Sequence, residues 1–345
     1  MAAEDGSEGV ALLSVRPEAG IEGGRFVIAC RNMDIRTFAS ARLKIGGVAT
    51  RLDFARHDLL IAKIPQGVTS GMITLEVNGS QGNSLPCEVG ARIAQNLHPV
   101  ANPLLDGEGN LYVTLSGSRG QKVPASVYKI SPRGILTPFV RDIINPTGMA
   151  LGPDGAIYIS SRFDGRVYRV SADGTATVFT SELGVATGLA FDRQGYLYVG
   201  DREGPIYRVN RAGSATLFAT IAPSVAAFHL AFDAQGDLYV TSPSMSGYDA
   251  IQRITPEGEV HTIFGDLGRP QGMAFDRHNN LYVVAYYQGE AGIWQISPQG
   301  QATHMVSGTN LVGLAIDPTG HIVVVSTSAV YRVRVEGLEP GGPMV

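Results

Sequence analysis

Short runs of β-branched and aromatic residues alternate with polar turns along most of the chain. Each run follows a turn that contains Gly or Asn, and this pattern is typical of β-strands joined by tight hairpins. The most regular run is a Leu-Tyr-Val triplet or a close variant of it. Its copies are Leu111-Tyr112-Val113, Ile157-Tyr158-Ile159, Leu197-Tyr198-Val199, Leu238-Tyr239-Val240, Leu281-Tyr282-Val283 and the degenerate Ile322-Val323-Val324.

The triplets recur about every 40–45 residues, which is the period of the blades of a β-propeller. Each unit resolves into four strands: a Gly-Leu-Ala-Phe run such as that at Gly188, the triplet, a run such as VYRV at Val167, and an outer strand such as ATVF at Ala176. No helical period interrupts these runs. Six copies predict an all-β fold that contains a six-bladed propeller.

Closure of the predicted ring requires a strand from outside the last repeat. The sixth copy ends after VYRVRV at Val330, and the tail that follows lacks a good outer strand. The segment 91–97 precedes the first copy and belongs to no other unit. Because an unclosed ring would leave sheet edges open, we expect this segment to complete the sixth blade, so that the propeller spans residues 91–337.

The first ninety residues follow a different pattern. Alternation of apolar and polar residues is clear in RFVIAC at Arg25 and MITLEV at Met72. Turn signals fall about every 8–12 residues, as in β-sandwiches. We therefore predict a separate antiparallel sandwich over residues 10–90, with the boundary near residues 88–98.

Both predicted domains resemble known families. The first resembles the IPT/TIG family of immunoglobulin-like domains, which implies that fold and an adhesive or spacer role without catalytic residues. The matching residues are Val15-Arg16-Pro17, Gly23-Gly24, Gly46-Gly47-Val48-Ala49 and Ile64-Pro65. The second, over residues 91–335, resembles the NHL-repeat propellers and the gluconolactonase/regucalcin superfamily through GLAFDRQGYLYVGDREGPIYRV at Gly188 and its sister repeats.

The resemblance to lactonases implies one divalent cation in the channel, held by a Glu, two Asn-type ligands and an Asp. Asp201 stands where that family places its LYVxD aspartate, and it is the candidate metal ligand. Thr147 and Thr187 replace the family's Asn, whereas Asn102 and Asn145 are loose substitutes. We find no match for the family's Glu, so the acidic partner of Asp201 is missing. We therefore expect no cofactor, with Ca, Mg, Mn or Zn as the alternative if the chain is lactonase-like.

Candidate site residues lie where the loops of a propeller meet at one mouth of its channel. The candidate catalytic residues are Asp201 and His229, and the candidate ligand-binding residues are Asn102, Asn145, Arg162, Gln271 and Tyr286. His229 replaces a Gly of the sister repeats and is either a base or a packed imidazole. Asp201 either binds a cation or accepts hydrogen bonds from its own turn. The aromatic AYYQGE stretch is either a binding rim or part of the packing. Other residues of these loops are His98, Thr147, Thr187, Phe228, Arg269, Asn310, Asp164, Arg202, Glu203, Tyr248, Asp249, Tyr287 and Glu290.

Composition and charge exclude several classes of partner. The net charge of −4 gives no basic field for nucleic acid. No apolar run approaches the roughly 18 residues of a membrane span. The acidic first residues lack the pattern of a signal peptide and predict a cytoplasmic protein, with an extracytoplasmic location as the alternative if the chain was trimmed. Cys30 and Cys87 lack zinc-ligand spacing; we favour free buried thiols over a disulfide.

Two functions from different classes remain open. The first is a binding or interaction protein that presents the propeller mouth to a small-molecule or protein ligand, with the immunoglobulin-like domain as a spacer. The alternative is a metal-dependent, gluconolactonase-like hydrolase of sugar lactones or small esters with a degenerate channel site. A propeller lyase acting on cyclic peptides would need a Thr-Glu after the Leu-Tyr-Val runs, which is absent. Whether the protein is an enzyme, and its oligomeric state, stay open.

Overall fold

The computed structural model describes residues 10–338, and these form β-strands apart from one 3-10 helix, Ile35–Ser40. The chain divides into two compact units. Of the described residues, the first unit holds 10–91, 304–309 and 333–335, and the second holds 92–303, 310–332 and 336–338. The acidic start of the chain, on which the expected location rests, lies outside the described residues. No helix among residues 10–338 has the length and apolar character needed to cross a membrane.

The first unit is built from short antiparallel strands in two sheets. One sheet has the order β1-β3-β7-β6, and the other runs β5-β4-β8-β9-β2. In the second sheet, β2 is parallel to β9 and also pairs with Val306 and Ser307. The strands are β1 (Ala11–Arg16), β2 (Ala19–Gly20), β3 (Arg25–Arg31), β4 (Arg42–Ile45), β5 (Val48–Thr50), β6 (Leu52–Arg56), β7 (Leu59–Lys63), β8 (Gly71–Val77) and β9 (Ser80–Val89).

The two sheets of the first unit share one apolar core because their strands alternate inward and outward residues. Phe26, Ile28 and Cys30 of β3 point into this core, and their intervening neighbours are more exposed. Cys87 of β9 joins the same core. Both cysteines are free thiols, and burial raises the pKa of Cys87 to about 11. These thiols are therefore protonated at neutral pH and serve as packing residues.

The second unit contains the repeats. Its strands are β10 (Ala91–Gln95), β11 (Leu104–Leu105), β12 (Leu111–Thr114), β13 (Val127–Ile130), β14 (Leu136–Val140), β15 (Pro146–Leu151), β16 (Ile157–Ser161), β17 (Arg166–Val170), β18 (Ala176–Thr180), β19 (Ala186–Phe191), β20 (Leu197–Asp201), β21 (Pro205–Val209), β22 (Ala215–Thr220), β23 (His229–Phe232), β24 (Leu238–Thr241), β25 (Asp249–Ile254), β26 (Val260–Leu267), β27 (Met273–Phe275), β28 (Leu281–Tyr287), β29 (Glu290–Ile296), β30 (Ala302–Ser307), β31 (Leu311–Ile316), β32 (His321–Ser326) and β33 (Ala329–Arg334). Ala91 and the ends of β30 and β33 belong to the first unit.

Each repeat folds as an antiparallel meander, which we call a blade. Blades one to four are β11–β14, β15–β18, β19–β22 and β23–β26; blade five starts with β27, β28 and β29, and blade six has the order β31-β32-β33-β10. Neighbouring blades share apolar cores, and Val312 and Val323 of blade six pack with Leu105 and Leu111 of blade one. The blades therefore close into a ring. The predicted all-β, propeller-like fold is confirmed.

The segment that precedes the first repeat lies in the last blade. β10 is the neighbour of β33 in the four-stranded sheet of blade six. The Leu97 amide donates to the Ser328 carbonyl over 3.3 Å, and the Leu97 side chain is buried with Val330 in the core between blades six and one. The first and last segments of the second unit therefore hold each other in place, and the outer edge of β33 is covered.

Glycine residues allow the first strands of neighbouring blades to approach closely around the ring. A β-carbon on Gly148 would overlap the carbonyl oxygen of Thr187, and one on Gly188 would lie 2.6 Å from that of Phe228. Such distances leave no room for a side chain. The corresponding place in blade four is occupied by His229, which is 4% exposed.

The tyrosine of each Leu-Tyr-Val triplet joins its blade to the next. The Tyr158 ring contacts Phe191 edge to face at 4.9 Å between centroids, and Tyr198 contacts Phe232 in the same way at 5.0 Å. The tyrosine hydroxyl reaches the turn between the first two strands of its own blade, where Tyr112 donates to Asp106 over 3.0 Å. We call the end of the propeller that carries these turns the turn face.

Candidate functional site

The opposite end of the propeller, which we call the mouth face, carries the loops between second and third strands and the loops that lead into the first strands. The predicted site residues lie at this end, but in different blades and with different surroundings. They are Asn102 (blade one), Asn145 and Arg162 (blade two), Asp201 (blade three), His229 (blade four), and Gln271 and Tyr286 (blade five).

The Asn102 side chain connects blade one to blades five and six. Its amide nitrogen donates to the Met273 carbonyl over 2.9 Å, and its amide oxygen accepts from the Leu314 amide over 3.1 Å. Both partners are backbone groups in the first strands of blades five and six. The side chain therefore uses its oxygen to hold the ring together.

Asn145 holds the long mouth loop of blade one. It is 1% exposed and has a φ of 48°, a left-handed conformation that Asn tolerates better than most residues. Its oxygen accepts from the Gly120 amide over 2.7 Å, and its nitrogen donates to the carbonyls of Gly117 and Ser118 over 2.9 and 3.0 Å. All polar atoms of this amide are thus engaged with the loop that they position.

Asp201 anchors the turn that follows it and the loop before β19. One carboxylate oxygen accepts from the Val185 amide over 2.9 Å and from the Glu203 amide over 3.1 Å. The side chain is packed closely against Gly184 and is 5% exposed. This arrangement is the one expected of an aspartate that bonds its own turn.

His229 fills the space that glycine leaves in the sister repeats. Burial alone lowers the pKa of this imidazole to about 4, so the ring is neutral at pH 7. A nearby carboxylate would shift this pKa in the opposite direction, and none contributes. The environment is therefore that of a packed, neutral ring without an acidic partner.

Gln271 is half-buried and connects blade five to its neighbours. Its side-chain nitrogen donates to the Leu311 carbonyl over 3.4 Å, and its own carbonyl accepts from the Thr241 hydroxyl over 2.7 Å. Its amide donates to the Val284 carbonyl over 2.8 Å. These bonds run between blades four, five and six, which assigns Gln271 a part in packing.

Arg162 differs from these residues because its charge is not matched by a carboxylate. Its terminal nitrogen approaches the Ser116 hydroxyl at 3.3 Å and the Gly117 carbonyl at 3.4 Å, and its buried Nε has no hydrogen-bond partner among the described residues. Burial, followed by the positive charges of Arg202 and Arg119, lowers the pKa of Arg162. Three arginines therefore lie close enough to interact at the mouth face.

Large apolar side chains are also exposed on the mouth face. Phe163 is 45% exposed, Tyr286 is 53% exposed and Tyr248 is 79% exposed. Met245, in the same loop as Tyr248, is 91% exposed. That loop is itself ordered by Asp249, which accepts from the Ser244 amide over 2.9 Å. The mouth face thus presents apolar groups on anchored backbone.

Most of the AYYQGE stretch is a tight hairpin rather than a loop. β28 continues to Tyr287 and pairs with Glu290 across a two-residue turn at Gln288 and Gly289. Because side chains alternate along a strand, Tyr286 faces solvent while Tyr287 packs against Trp294 with ring centroids 5.1 Å apart. Only the first of the two tyrosines remains a candidate for ligand contact.

The residues at the mouth do not form an oxygen cage for a divalent cation. Asp201, Asn102 and Asn145 direct their oxygens to backbone amides of their own surroundings. Among residues 10–338, no three His, Cys, Asp or Glu side chains converge in a way that would hold a metal ion. The donor set therefore does not fit the lactonase cation, which needs several free oxygen ligands.

Two features of the second unit were not found from the sequence. The first is Arg119, which lies in the loop between β12 and β13, the longest of the loops between second and third strands. The length of this loop and its basic residues Arg119 and Lys122 were the sequence features that could have indicated a binding loop. A cleft of about 600 Å³ lies on the turn face of blades three to five, beside Asp192, Asp233 and Asp276. In each of these carboxylates, one oxygen accepts from backbone amides of its own turn. Fewer polar atoms are therefore free to contact a ligand in this cleft than at the mouth.

Comparison with known proteins finds similarity of fold alone. No family profile and no curated protein matches the sequence. An auxiliary nutrient binding protein from Bacteroides ovatus ATCC 8483 aligns with a TM-score of 0.57 and 13% identity over 95% of this chain and 98% of that chain. A structure named as a gluconolactonase aligns with a TM-score of 0.58 and 16% identity over 73% of this chain and 93% of that chain. Virginiamycin B lyase from Staphylococcus aureus aligns with a TM-score of 0.53 and 13% identity over 94% of this chain and 99% of that chain.

Proposed function

We propose that this protein is a binding protein whose propeller mouth takes a small-molecule or protein ligand without a metal ion. The first unit serves as a spacer or second contact, and we propose that it is an immunoglobulin-like sandwich of the IPT/TIG type. The propeller supplies rigid blades, and its mouth loops supply the contacts, which is the usual division between scaffold and loops.

One observation carries this proposal: exposed apolar side chains and an arginine without a carboxylate partner lie on the same face. Phe163, Tyr248 and Tyr286 each expose a large part of their side chain to solvent there. Exposed apolar groups beside polar groups are typical of ligand and protein contact surfaces. Asp249 holds the loop that carries Tyr248, and Tyr286 lies on strand β28. A ligand would thus meet a surface that is already in place.

The structural neighbours fit a binding role as an analogy of fold. One of them is named an auxiliary nutrient binding protein, and it spans nearly the same length of chain. Propellers of one architecture host different functions, so this analogy supports the proposal less than the contacts at the mouth do.

The alternative, a lactonase-like hydrolase, has less support from the contacts. It needs Asp201 as a metal ligand and His229 as a base. The Asp201 oxygen is held by two backbone amides, and His229 is buried and neutral without an acidic partner. A hydrolase that uses these residues would have to break the hydrogen bonds of the Asp201 turn and expose the His229 imidazole to solvent.

A titration experiment separates the two functions. Wild type and the double variant Tyr248→Ala/Tyr286→Ala are screened by thermal shift and calorimetry against sugars, sugar acids and sugar lactones, in EDTA and in Ca²⁺, Mg²⁺ or Mn²⁺. We expect binding that persists in EDTA, weakens in the double variant and produces no turnover. Cation-dependent lactone hydrolysis that Asp201→Ala abolishes would contradict the proposal.

A further inference from the structure

Two arginines occupy the same place in neighbouring blades of the mouth face. Arg162 follows β16 and its amide donates to the Asn145 carbonyl; Arg202 follows β20 and its amide donates to the Val185 carbonyl. Both positions come directly after the second strand, which the repeat places at the same radius and height. The two side chains are therefore displayed side by side by the architecture of the ring.

Neither arginine is fully used by the protein. The Nε atoms of both Arg162 and Arg202 are buried and have no hydrogen-bond partner within the described part of the chain. Buried donors without acceptors call for an explanation, such as a ligand. Two turn-face arginines have the same unpaired atom, but each of them lies beside a carboxylate. Arg202 has one carboxylate nearby, Glu203, at 3.8 Å, and that side chain is 64% exposed. Within residues 10–338, the acceptors of Arg162 are Ser116 and Gly117, both at long distances of 3.3 and 3.4 Å.

A third arginine belongs to the same group. Arg119 lies in the blade-one loop that Asn145 holds, and the Gly117 carbonyl of that loop is the one that Arg162 approaches. The neighbouring Gly120 lies against the Phe163 ring, within 3.2 Å of where its β-carbon would be. The loop therefore brings Arg119 beside Arg162, whose pKa is lowered first by burial and then by the positive charges of Arg202 and Arg119.

We propose that Arg119, Arg162 and Arg202 form a binding site for an oxyanion, the carboxylate or phosphate group of a small molecule. This inference rests on the proposed function and names the chemistry of its ligand. Guanidinium groups present paired donors that match a carboxylate or phosphate, and an anion among the three arginines would offset the repulsion between their charges. Exposed Phe163 beside Arg162 gives the apolar part of such a ligand a place to pack.

The position of these charges favours a ligand over a stabilising role. Three like charges near one another destabilise the folded chain unless an anion neutralises them. Groups that reduce stability without a local partner are typical of functional sites. Replacing Arg162 by Gln is therefore expected to leave the melting temperature unchanged or higher in an anion-poor buffer.

Calorimetry at constant ionic strength tests the site with sodium phosphate, glucuronate and neutral glucose as probes. The phosphate and glucuronate arms distinguish the two sources of oxyanion, and glucose reports the contribution of the ring. The variants are Arg162→Gln and Arg202→Gln, and the control is Arg133→Gln, an exposed arginine in the turn after β13 on the turn face. Melting temperatures check that each variant is folded.

We expect at least one oxyanion to bind the wild type and the control equally, and the Arg162→Gln variant at least about tenfold more weakly, because the variant loses a charged hydrogen-bond donor to the oxyanion. Equal loss in the control, or no binding of either oxyanion to the wild type, would overturn the inference. If the oxyanion inference fails in this way but glucose or another neutral ligand binds in a Tyr248-dependent manner, the proposed binding function stands and only the oxyanion site is rejected.

Discussion

The two faces of the propeller use arginine in different ways. On the turn face, Arg169 donates to Asp154 over 2.7 Å and Arg332 lies 3.0 Å from Asp317. On the mouth face, Arg162, in the same blade as Arg169, has no carboxylate partner among residues 10–338. The two turn-face arginines are paired with carboxylates of their own blades. The mouth face leaves positive charge available.

This difference follows the repeat. Residues that recur in most blades, such as the triplet tyrosines and the turn aspartates, hold strands and neighbouring blades together. Residues of the mouth loops vary from blade to blade and carry the exposed aromatic and cationic groups. Packing needs the same solution in each blade, whereas a ligand needs an asymmetric set of contacts.

The largest expected effect concerns the repeated glycines of the inner strands. Gly148→Ala places a β-carbon against the Thr187 carbonyl, which belongs to the neighbouring first strand. We expect a loss of about 3 kcal/mol in the free energy of unfolding, measured by urea denaturation, because overpacking moves backbone. Gly107→Ala, which meets no atom within 4 Å, is the matched control. Equal effects of the two substitutions would contradict the close approach of the blades.

The next effect comes from His229, where the inner ring departs from the repeat. Its folded pKa of about 4 lies below the unfolded value of about 6.5, so the unfolded chain binds more protons between these values. Stability therefore falls as the pH drops from 6.5 to 4, by a contribution on the order of 3 kcal/mol.

His229→Gln removes this contribution and serves as the reference, because the other titrating groups are the same in both proteins. Urea denaturation at pH 7 and pH 4 measures the difference. A wild type and a variant with the same loss of stability on acidification would show that the ring is accessible to protons in the folded state.

Asp201 is expected to act through its turn. Asp201→Ala leaves the amides of Val185 and Glu203 without their acceptor and should lower the free energy of unfolding by about 2 kcal/mol. Asp201→Asn keeps an oxygen at the same place and should have a much smaller effect. If Ca²⁺ raised the melting temperature of the wild type and not of Asp201→Asn, a cation-binding role would replace this one.

The exposed aromatic residues of the mouth are expected to have the smallest effect on stability among single positions. Tyr248→Ala and Tyr286→Ala should change the free energy of unfolding by no more than about 0.5 kcal/mol, as at other surface positions. Tyr287→Ala is the matched control, because that ring packs on Phe264 and Trp294 and its loss should be larger. Equal losses of unfolding free energy for the Tyr286 and Tyr287 variants would show that Tyr286 is a packing residue and not an exposed ligand contact.

The sequence predicted the repeated part of the molecule and not the use of its polar residues. The period and strand composition were sufficient for the propeller because each blade repeats the same packing. Asn102 and Asn145 are expected from the sequence to contact a ligand because of their place near the mouth, but their side chains bind backbone groups in other blades or loops, which residue type cannot reveal. For Asp201 the sequence leaves open a cation or its own turn, and its contacts are backbone amides of that turn and of the preceding loop. Arg119 was missed because it lies outside the repeat and joins Arg162 only through the fold of its loop.

The most direct test compares Arg162→Gln with Arg169→Gln, two substitutions of one kind in one blade. We expect Arg169→Gln to lower the melting temperature, because Asp154 loses its partner, and to leave oxyanion binding unchanged. Arg162→Gln should leave the melting temperature unchanged or higher and weaken oxyanion binding. If both substitutions lowered the melting temperature alike and neither changed binding, the distinction between a structural turn face and a binding mouth face would be wrong.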